Sequence, residues 1–149
     1  MKRLFVLTSL LFRGLFADAY TVRPVSSVHA RVIRDFVLRF EKVSSARLMP
    51  EKKGSTMYFI KDGFNNRAGY DANGRWLYSL VSYNEGKLPR DIRAVVKSAY
   101  YDDAITVVQE IQNINGRAWF VHLEDETTVK IVKVTAEKDM ETVDEFRKQ

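Results

Sequence analysis

The residues best suited to metal or proton chemistry in this 149-residue chain are its two histidines, His29 and His122, and Glu124 follows the second two positions on. On a strand that spacing puts an imidazole and a carboxylate on one face, because side chains alternate. Two potential ligands are too few for a zinc site, which takes three or four protein ligands. A solvated histidine beside Glu124 is the expected state, and no metal is assigned. Asp71-Ala72-Asn73-Gly74 opens like a calcium loop, with oxygen donors at alternate positions. Arg75 then stands where another oxygen is needed, Trp76 where the turn glycine belongs and Tyr83 where the closing glutamate would be. Asn-Gly between two strand-like runs is a hairpin signal instead.

For nucleophilic chemistry the chain offers no cysteine, no Gly-x-Ser-x-Gly elbow and no serine with a recognisable base partner. It has neither a glycine-rich phosphate loop nor a dinucleotide fingerprint. The acidic runs Asp102-Asp103 and Glu124-Asp125-Glu126 fall at strand boundaries, where charged turn residues are ordinary. No catalytic residue and no cofactor are assigned. An enzyme would need a site assembled from distant positions, such as His122 and Glu124 with a further titratable group in a cleft.

The elements that carry these residues are legible from periodicity. From Val28 to Phe40 the apolar residues Val28, Val32, Ile33, Phe36, Val37 and Phe40 recur at three- and four-residue spacing, with Arg31, Arg34, Asp35 and Arg39 between them. That is an amphipathic helix with one buried stripe, and Ser27 stands ready to cap it. A basic amphipathic helix can lie on a membrane, but the same pattern suits a helix that covers a sheet. Short runs rich in aromatic and β-branched residues supply that sheet: 46–49, 56–61, 64–70 and 75–83. Leu88-Pro89-Arg90-Asp91 opens a second helix, since proline is tolerated at the first helical position, and Ile92, Val95, Val96, Ala99 and Tyr100 form its stripe. Strands are expected again at 104–111, 117–123 and 127–134. A last one at 140–146 competes with a short helix containing Asp144 and Glu145.

Met1 is followed by Lys2 and Arg3, then by a largely apolar run from Leu4 to Phe12, and Ala17-Asp18-Ala19 supplies a small-x-small cleavage pattern. This is the order of a secretory signal peptide, residues 1–19. A membrane anchor would need about 20 predominantly apolar residues, and Arg13 interrupts the run early. The expected product is periplasmic or secreted, without stable membrane insertion after cleavage. With no cysteine in the chain, its stability rests on core packing. The leader carries Lys2, Arg3, Arg13 and Asp18, so of 24 basic and 19 acidic residues 21 and 18 remain, a formal net charge of +3. These charges are interspersed, where a nucleic-acid binder concentrates positive charge in a patch, so no nucleic-acid partner is assigned.

The two halves of residues 20–149 share one order: helix, three strands, a polar turn, a strand. Phe40 matches Tyr100, Gly54 matches Gly116, Tyr58-Phe59 matches Trp119-Phe120, and the turn at 71–74 matches that at 137–139. A single domain of two repeats, about 28–83 and 88–147, is expected. With its helix and strands, Tyr70-Asp71-Ala72-Asn73-Gly74-Arg75-Trp76, and Leu88-Pro89 opening a helix that ends in Tyr100-Tyr101, the chain resembles the β-lactamase-inhibitor-like (BLIP-like), PepSY-like proteins exported by Bacteroidetes. The resemblance covers about residues 28–147. It implies an α+β fold of tandem α-β4 repeats, with a curved antiparallel sheet and two helices packed on one side. It brings no set of functional residues. The chain differs from the inhibitor proper in lacking its disulfide-bonded cysteines, so binding to a β-lactamase is not implied.

Aromatic strands are the remaining functional signal. Strict alternation puts Trp76, Tyr78 and Leu80 on one face of their strand and Leu77, Val81 and Tyr83 on the other. Arg117, Trp119, Val121 and Leu123 repeat the pattern in the second half. If helices cover only one face, the other exposes Trp or Tyr, which are enriched at protein interfaces. Trp76, Tyr78 and Trp119 are therefore the candidate protein-binding surface. The alternative is that both aromatic rows are core, or are covered by loops or by a second copy. The leading functional expectation is an exported, non-enzymatic binding module with a protein or peptide partner, inhibition being one version. The other is a periplasmic protein that senses a small ligand or envelope stress through an enclosed apolar cavity.

Overall fold

The computed structural model describes residues 27–148, so the signal-peptide reading lies outside the described residues. The chain runs α1 (Ser27–Arg39), β1 (Val43–Glu51), β2 (Gly54–Lys61), β3 (Phe64–Asp71) and β4 (Trp76–Tyr83), and then a 3-10 turn at Glu85–Lys87. It continues with α2 (Arg90–Ala99), β5 (Ala104–Asn113), β6 (Gly116–Glu124), β7 (Thr128–Thr135) and β8 (Met140–Arg147). The α-β4 order thus occurs twice. All eight strands pair antiparallel with their sequence neighbours in one sheet, ordered β1 to β8. The last segment is a strand, paired with β7 from Thr128↔Arg147 to Val134↔Met140.

Cross-strand register shows that both helices pack on the same side. Residues directly opposite one another share a face. Ala68 opposes Met57 and Ser79; Val81, two residues on from Ser79, opposes Glu110, which opposes Trp119. On that side α1 seals Met57, Phe59, Ala68 and Tyr70 with Val32 and Phe36. α2 seals Val108, Trp119, Val121, Leu123, Val132 and Val134 with Ile92 and Val96. Full burial of each such side chain stabilises by about 1.5–3 kcal/mol relative to exposure. Phe36, Phe40 and Phe59 form a ring cluster with centroids 4.7–5.2 Å apart. The stripe of α1 is narrower than its periodicity suggests. Only Val32 and Phe36 are buried, while Ile33 and Val37, each one residue and about 100° further round, face outward.

Hairpin chemistry fixes the turns. Asp71 Oδ1 accepts the backbone N–H of Asn73 (2.8 Å) and of Arg75 (2.9 Å), and Gly74 takes φ +76°. Gly74 alone of the Asn-Gly pair needs a positive φ. Those backbone bonds, that of Arg75 foremost, hold the Asp71 carboxyl below its usual pKa. Pro89 sits at the N-cap of α2, one position before the first helical residue, and its carbonyl accepts from Arg93 N–H at 2.9 Å.

A charged knot ties the loop after α2 to the β6–β7 hairpin. Lys130 Nζ lies 2.8 Å from Asp103 Oδ2 and 2.6 Å from Asp125 Oδ2. Asp125 also accepts the backbone N–H groups of Thr127 and Thr128 and the Thr128 hydroxyl. Lys130, then the Thr128 hydroxyl and the two amides, hold the Asp125 carboxyl far below the ordinary carboxylate range. A carboxyl whose pKa is depressed on folding contributes stability that is complete above its unfolded pKa, about 3.9, and is lost as pH falls from there towards the folded value. Asp125→Asn is therefore expected to be less stable than wild type at pH 7. The difference should shrink progressively below about pH 4, read as urea midpoints from pH 2 to 8. A difference that stays constant across that range would remove the knot from the acid response.

Candidate functional site

Among the described residues the helices cover one side of the sheet and leave the other uncovered, and the three predicted aromatic residues divide between the two sides. Trp119 is 5% exposed beneath α2. Its Nε1 donates to Tyr83 Oη (3.1 Å) and Glu110 Oε2 (3.3 Å), Tyr83 donates to the same carboxylate oxygen at 2.6 Å, and Arg117 pairs with Glu110 Oε1 at 3.2 Å. Burial first, and then the bond to Glu110, push the Tyr83 phenol well above its usual pKa. Trp76 is half-buried on the same side, against the α1 cluster. The Arg39 guanidinium stands 4.3 Å from its ring centroid, and its Nε1 donates to Ser79 Oγ at 3.0 Å.

Tyr78 faces the other way, and a β-bulge is the reason. Tyr70 pairs with Trp76 and Gly69 with Tyr78, which leaves Leu77 as an extra residue on β4. A bulge breaks the two-residue alternation, so Trp76 and Tyr78 lie on opposite faces. This corrects the expected shared face of Trp76, Tyr78 and Leu80: Tyr78 and Leu80 share the uncovered face, and Trp76 does not. The Tyr78 ring lies on Gly69, where a Cβ would approach its Cε1 to 2.4 Å. Trp76, Tyr78 and Trp119 therefore do not form one surface.

The uncovered side presents a different set. The row Arg47, Tyr58, Arg67, Leu80, Ile111, Ala118 crosses β1 to β6, by way of β2 to β5, in register. Tyr58 is 42% exposed, and Ile60, Val107 and Phe146 on the same side are exposed too. A depression of about 230 Å³ lies beside Tyr58, bounded by Asn65, Arg67, Leu80, Ser82 and Gln109. Tyr58 carried a signal in the sequence, an aromatic in an alternating strand, but its face could not be fixed without the register.

A second concavity, a groove of about 380 Å³, lies on the helix side over the central strands. Phe40, Phe64, Val81 and Tyr83 form its apolar walls, with Lys61 and Lys87 among its polar residues. It is open to solvent, so the enclosed apolar cavity expected of a small-ligand sensor is not what the fold provides at this position. The two histidines lie on opposite sides of the sheet, His29 on α1 and His122 on the uncovered face of β6 opposite Val107 and Ile131. His122 Nε2 is enclosed and has no hydrogen-bond partner among the described residues, while Glu124 pairs with Lys148 at 2.7 Å. Among the described residues no group of three or more His, Cys, Asp or Glu could hold a metal ion, and no helix is long and apolar enough to cross a membrane.

No family model matches the chain, and no curated protein matches its sequence. Solved structures do match its fold. A BLIP-like protein from Bacteroides fragilis superposes with a TM-score of 0.66 at 14% identity, over 79% of this chain and 84% of that one. A DUF2874 family protein from Bacteroides uniformis gives 0.63 at 12% identity, over 79% and 88%. A candidate periplasmic protein from Bacteroides eggerthii gives 0.62 at 11% identity, over 83% and 88%. The chain thus has the α+β fold of these Bacteroides proteins, the BLIP-like one among them, an antiparallel eight-stranded sheet with two helices.

Proposed function

We propose that this chain is an exported, non-enzymatic binding module whose uncovered sheet face holds a protein or peptide partner. One observation carries the reading. Both helices cover the same side, and the other side leaves Tyr58 and Ile60 on β2, Val107 on β5 and Phe146 on β8 exposed, with the less exposed Leu80, Ile111, Phe120 and Ile131 between them on the same face. Large apolar side chains grouped on an exposed face mark interaction sites, and tyrosine combines apolar area with a polar tip at interfaces. Export is supported by the leader-like N-terminus and by the candidate periplasmic protein among the fold's relatives. A binding role is also in keeping with the BLIP-like name of one fold neighbour. Trp76 and Trp119 serve in this reading as the framework beneath the face, and Tyr78 and Tyr58 as its contacts.

The test uses the full chain with a photo-crosslinking amino acid at position 58, at position 107, or at Ala94 on the outer face of α2. The expected result is one envelope protein captured from positions 58 and 107 and not from 94. The purified partner should then lose about 30-fold in affinity for Tyr58→Ala, about 2 kcal/mol, in the range of an interface hot spot. Equal capture from position 94, or unchanged affinity of Tyr58→Ala, would remove the face from the function.

A further inference from the structure

The uncovered face also constrains the chemistry of its partner, an inference that rests on the reading of that face as a docking surface. Arg47 and Arg67 lie directly on either side of Tyr58 in the β1–β2–β3 register. With strands about 4.8 Å apart, their Cα atoms are about 10 Å from each other. Both are exposed, and neither has an ion pair or side-chain hydrogen bond among the described residues. The carboxylates of the same face are engaged where the arginines are not. Glu51 accepts from the Thr56 hydroxyl and Asp144 from the Glu145 backbone N–H, Glu124 pairs with Lys148, and Glu141 pairs with Lys133. The first-repeat end of the face therefore presents two uncompensated guanidinium groups around an exposed aromatic ring, beside the depression bounded by Arg67, Leu80 and Gln109.

A partner that covers Tyr58 must strip water from both guanidinium groups. Burying an unpaired charge is strongly unfavourable, and a carboxylate held in the planar fork of an arginine restores the lost interactions bidentately. A neutral partner restores hydrogen bonds through its carbonyl oxygens but no opposite charge, and a basic partner adds repulsion, so the pair favours an acidic one. We propose that the occupant is an acidic segment of a protein partner in which two carboxylates bracket one apolar side chain. The carboxylates engage Arg47 and Arg67, and the apolar side chain enters the depression beside Tyr58.

The probes are three 12-residue peptides with a central Phe, identical except that the residues flanking it are Glu, Gln or Lys. They are titrated into the isotopically labelled full chain and followed by amide chemical shifts. The Glu peptide is expected to bind at least tenfold more tightly than the Gln peptide, to shift Tyr58, Arg67 and Leu80, and to weaken as salt rises. The Arg47→Ser/Arg67→Ser variant, altered only at exposed positions, should bind the Glu and Gln peptides equally. Tyr58→Ala should weaken all binding without abolishing the preference. Equal affinity of the three peptides at Tyr58 would overturn the acidic partner and leave the docking face intact, whereas Glu-peptide shifts confined to another surface would overturn both. Binding by none of the peptides would overturn the acidic segment. Arginine-dependent binding to phosphatidylglycerol vesicles without peptide preference would replace it with an anionic lipid surface.

Discussion

Trp119→Ala is expected to lower the stability of the protein by about 4 kcal/mol, in the range found for truncating a buried tryptophan, measured as the shift in a urea or thermal unfolding transition. Two losses combine. The first is the indole itself, 5% exposed among Val108, Val121 and Val134 beneath α2, whose removal leaves a cavity that a rigid sheet cannot close. The second is polar: Tyr83 and Glu110 lose the indole N–H that helps to satisfy them, in a place where an unsatisfied group costs about 1–3 kcal/mol. Tyr83→Phe separates the two, because it removes the phenol bond and keeps the packing. About 2 kcal/mol is expected for it, the range of a hydrogen bond to a charged group, because the phenol donates to the Glu110 carboxylate as well as accepting from the indole. A loss below 1 kcal/mol for Trp119→Ala would mean that α2 does not seal the sheet there. The consequence for binding experiments is direct. A Trp119 variant that fails to bind reports a weakened core, whereas Tyr58, Arg47 and Arg67 can be changed with little effect on folding because they touch solvent.

That distinction was only half legible in the amino-acid order. The α-β4 plan could be read twice because helix and strand periods are local properties, set by which side chains must be buried. Proline at the start of α2 and Asp71 to Gly74 between β3 and β4 marked boundaries for equally local reasons. Which sheet face a side chain occupies is not local, since one extra residue reverses every face beyond it. Leu77 is such a residue, and the sign of it was on the neighbouring strand. Gly69 lies in the interior of β3, where a glycine often marks a bulge or a close approach, and the Tyr78 ring fills the space its missing Cβ leaves. The internal repeat contains the same lesson. Matching Tyr58-Phe59 to Trp119-Phe120 pairs an exposed residue with a buried one. Taking Gly54 and Gly116 as the fixed points instead pairs Met57 with Trp119 in the core and Tyr58 with Phe120 on the uncovered face. The Lys130 knot left no sequence signal, because Asp103, Asp125 and Lys130 meet only once β5, β6 and β7 are laid side by side.

Those two glycines yield the second large effect. Gly54→Ala is expected to cost about 3 kcal/mol or more, and Gly116→Ala about 1 kcal/mol, although each glycine opens the second strand of its repeat. Both have a positive φ, +154° and +126°, so both substitutions carry backbone strain. They differ in what the new methyl group meets. At Gly116 nothing lies within 4 Å, and the strain is the whole penalty. At Gly54 the Cβ would stand 2.1 Å from the Tyr70 carbonyl oxygen and within 3.2 Å of two further backbone atoms, none of which can rotate away. Relief requires the β2–β3 ladder to part where Gly54 opposes Asp71 and Ser55 opposes Tyr70. The same two strands carry Met57, Phe59 and Ala68 into the α1 cluster on one side and Tyr58 and Arg67 on the other. A urea titration of the two variants reads the stability gap, and equal losses would show that the start of β2 can shift freely. In the proposed docking face the displacement also separates Tyr58 on β2 from Arg67 on β3. Gly54→Ala should therefore weaken the Glu peptide under conditions where the chain is still folded, while Gly116→Ala, at the far side of the sheet, should leave that affinity unchanged.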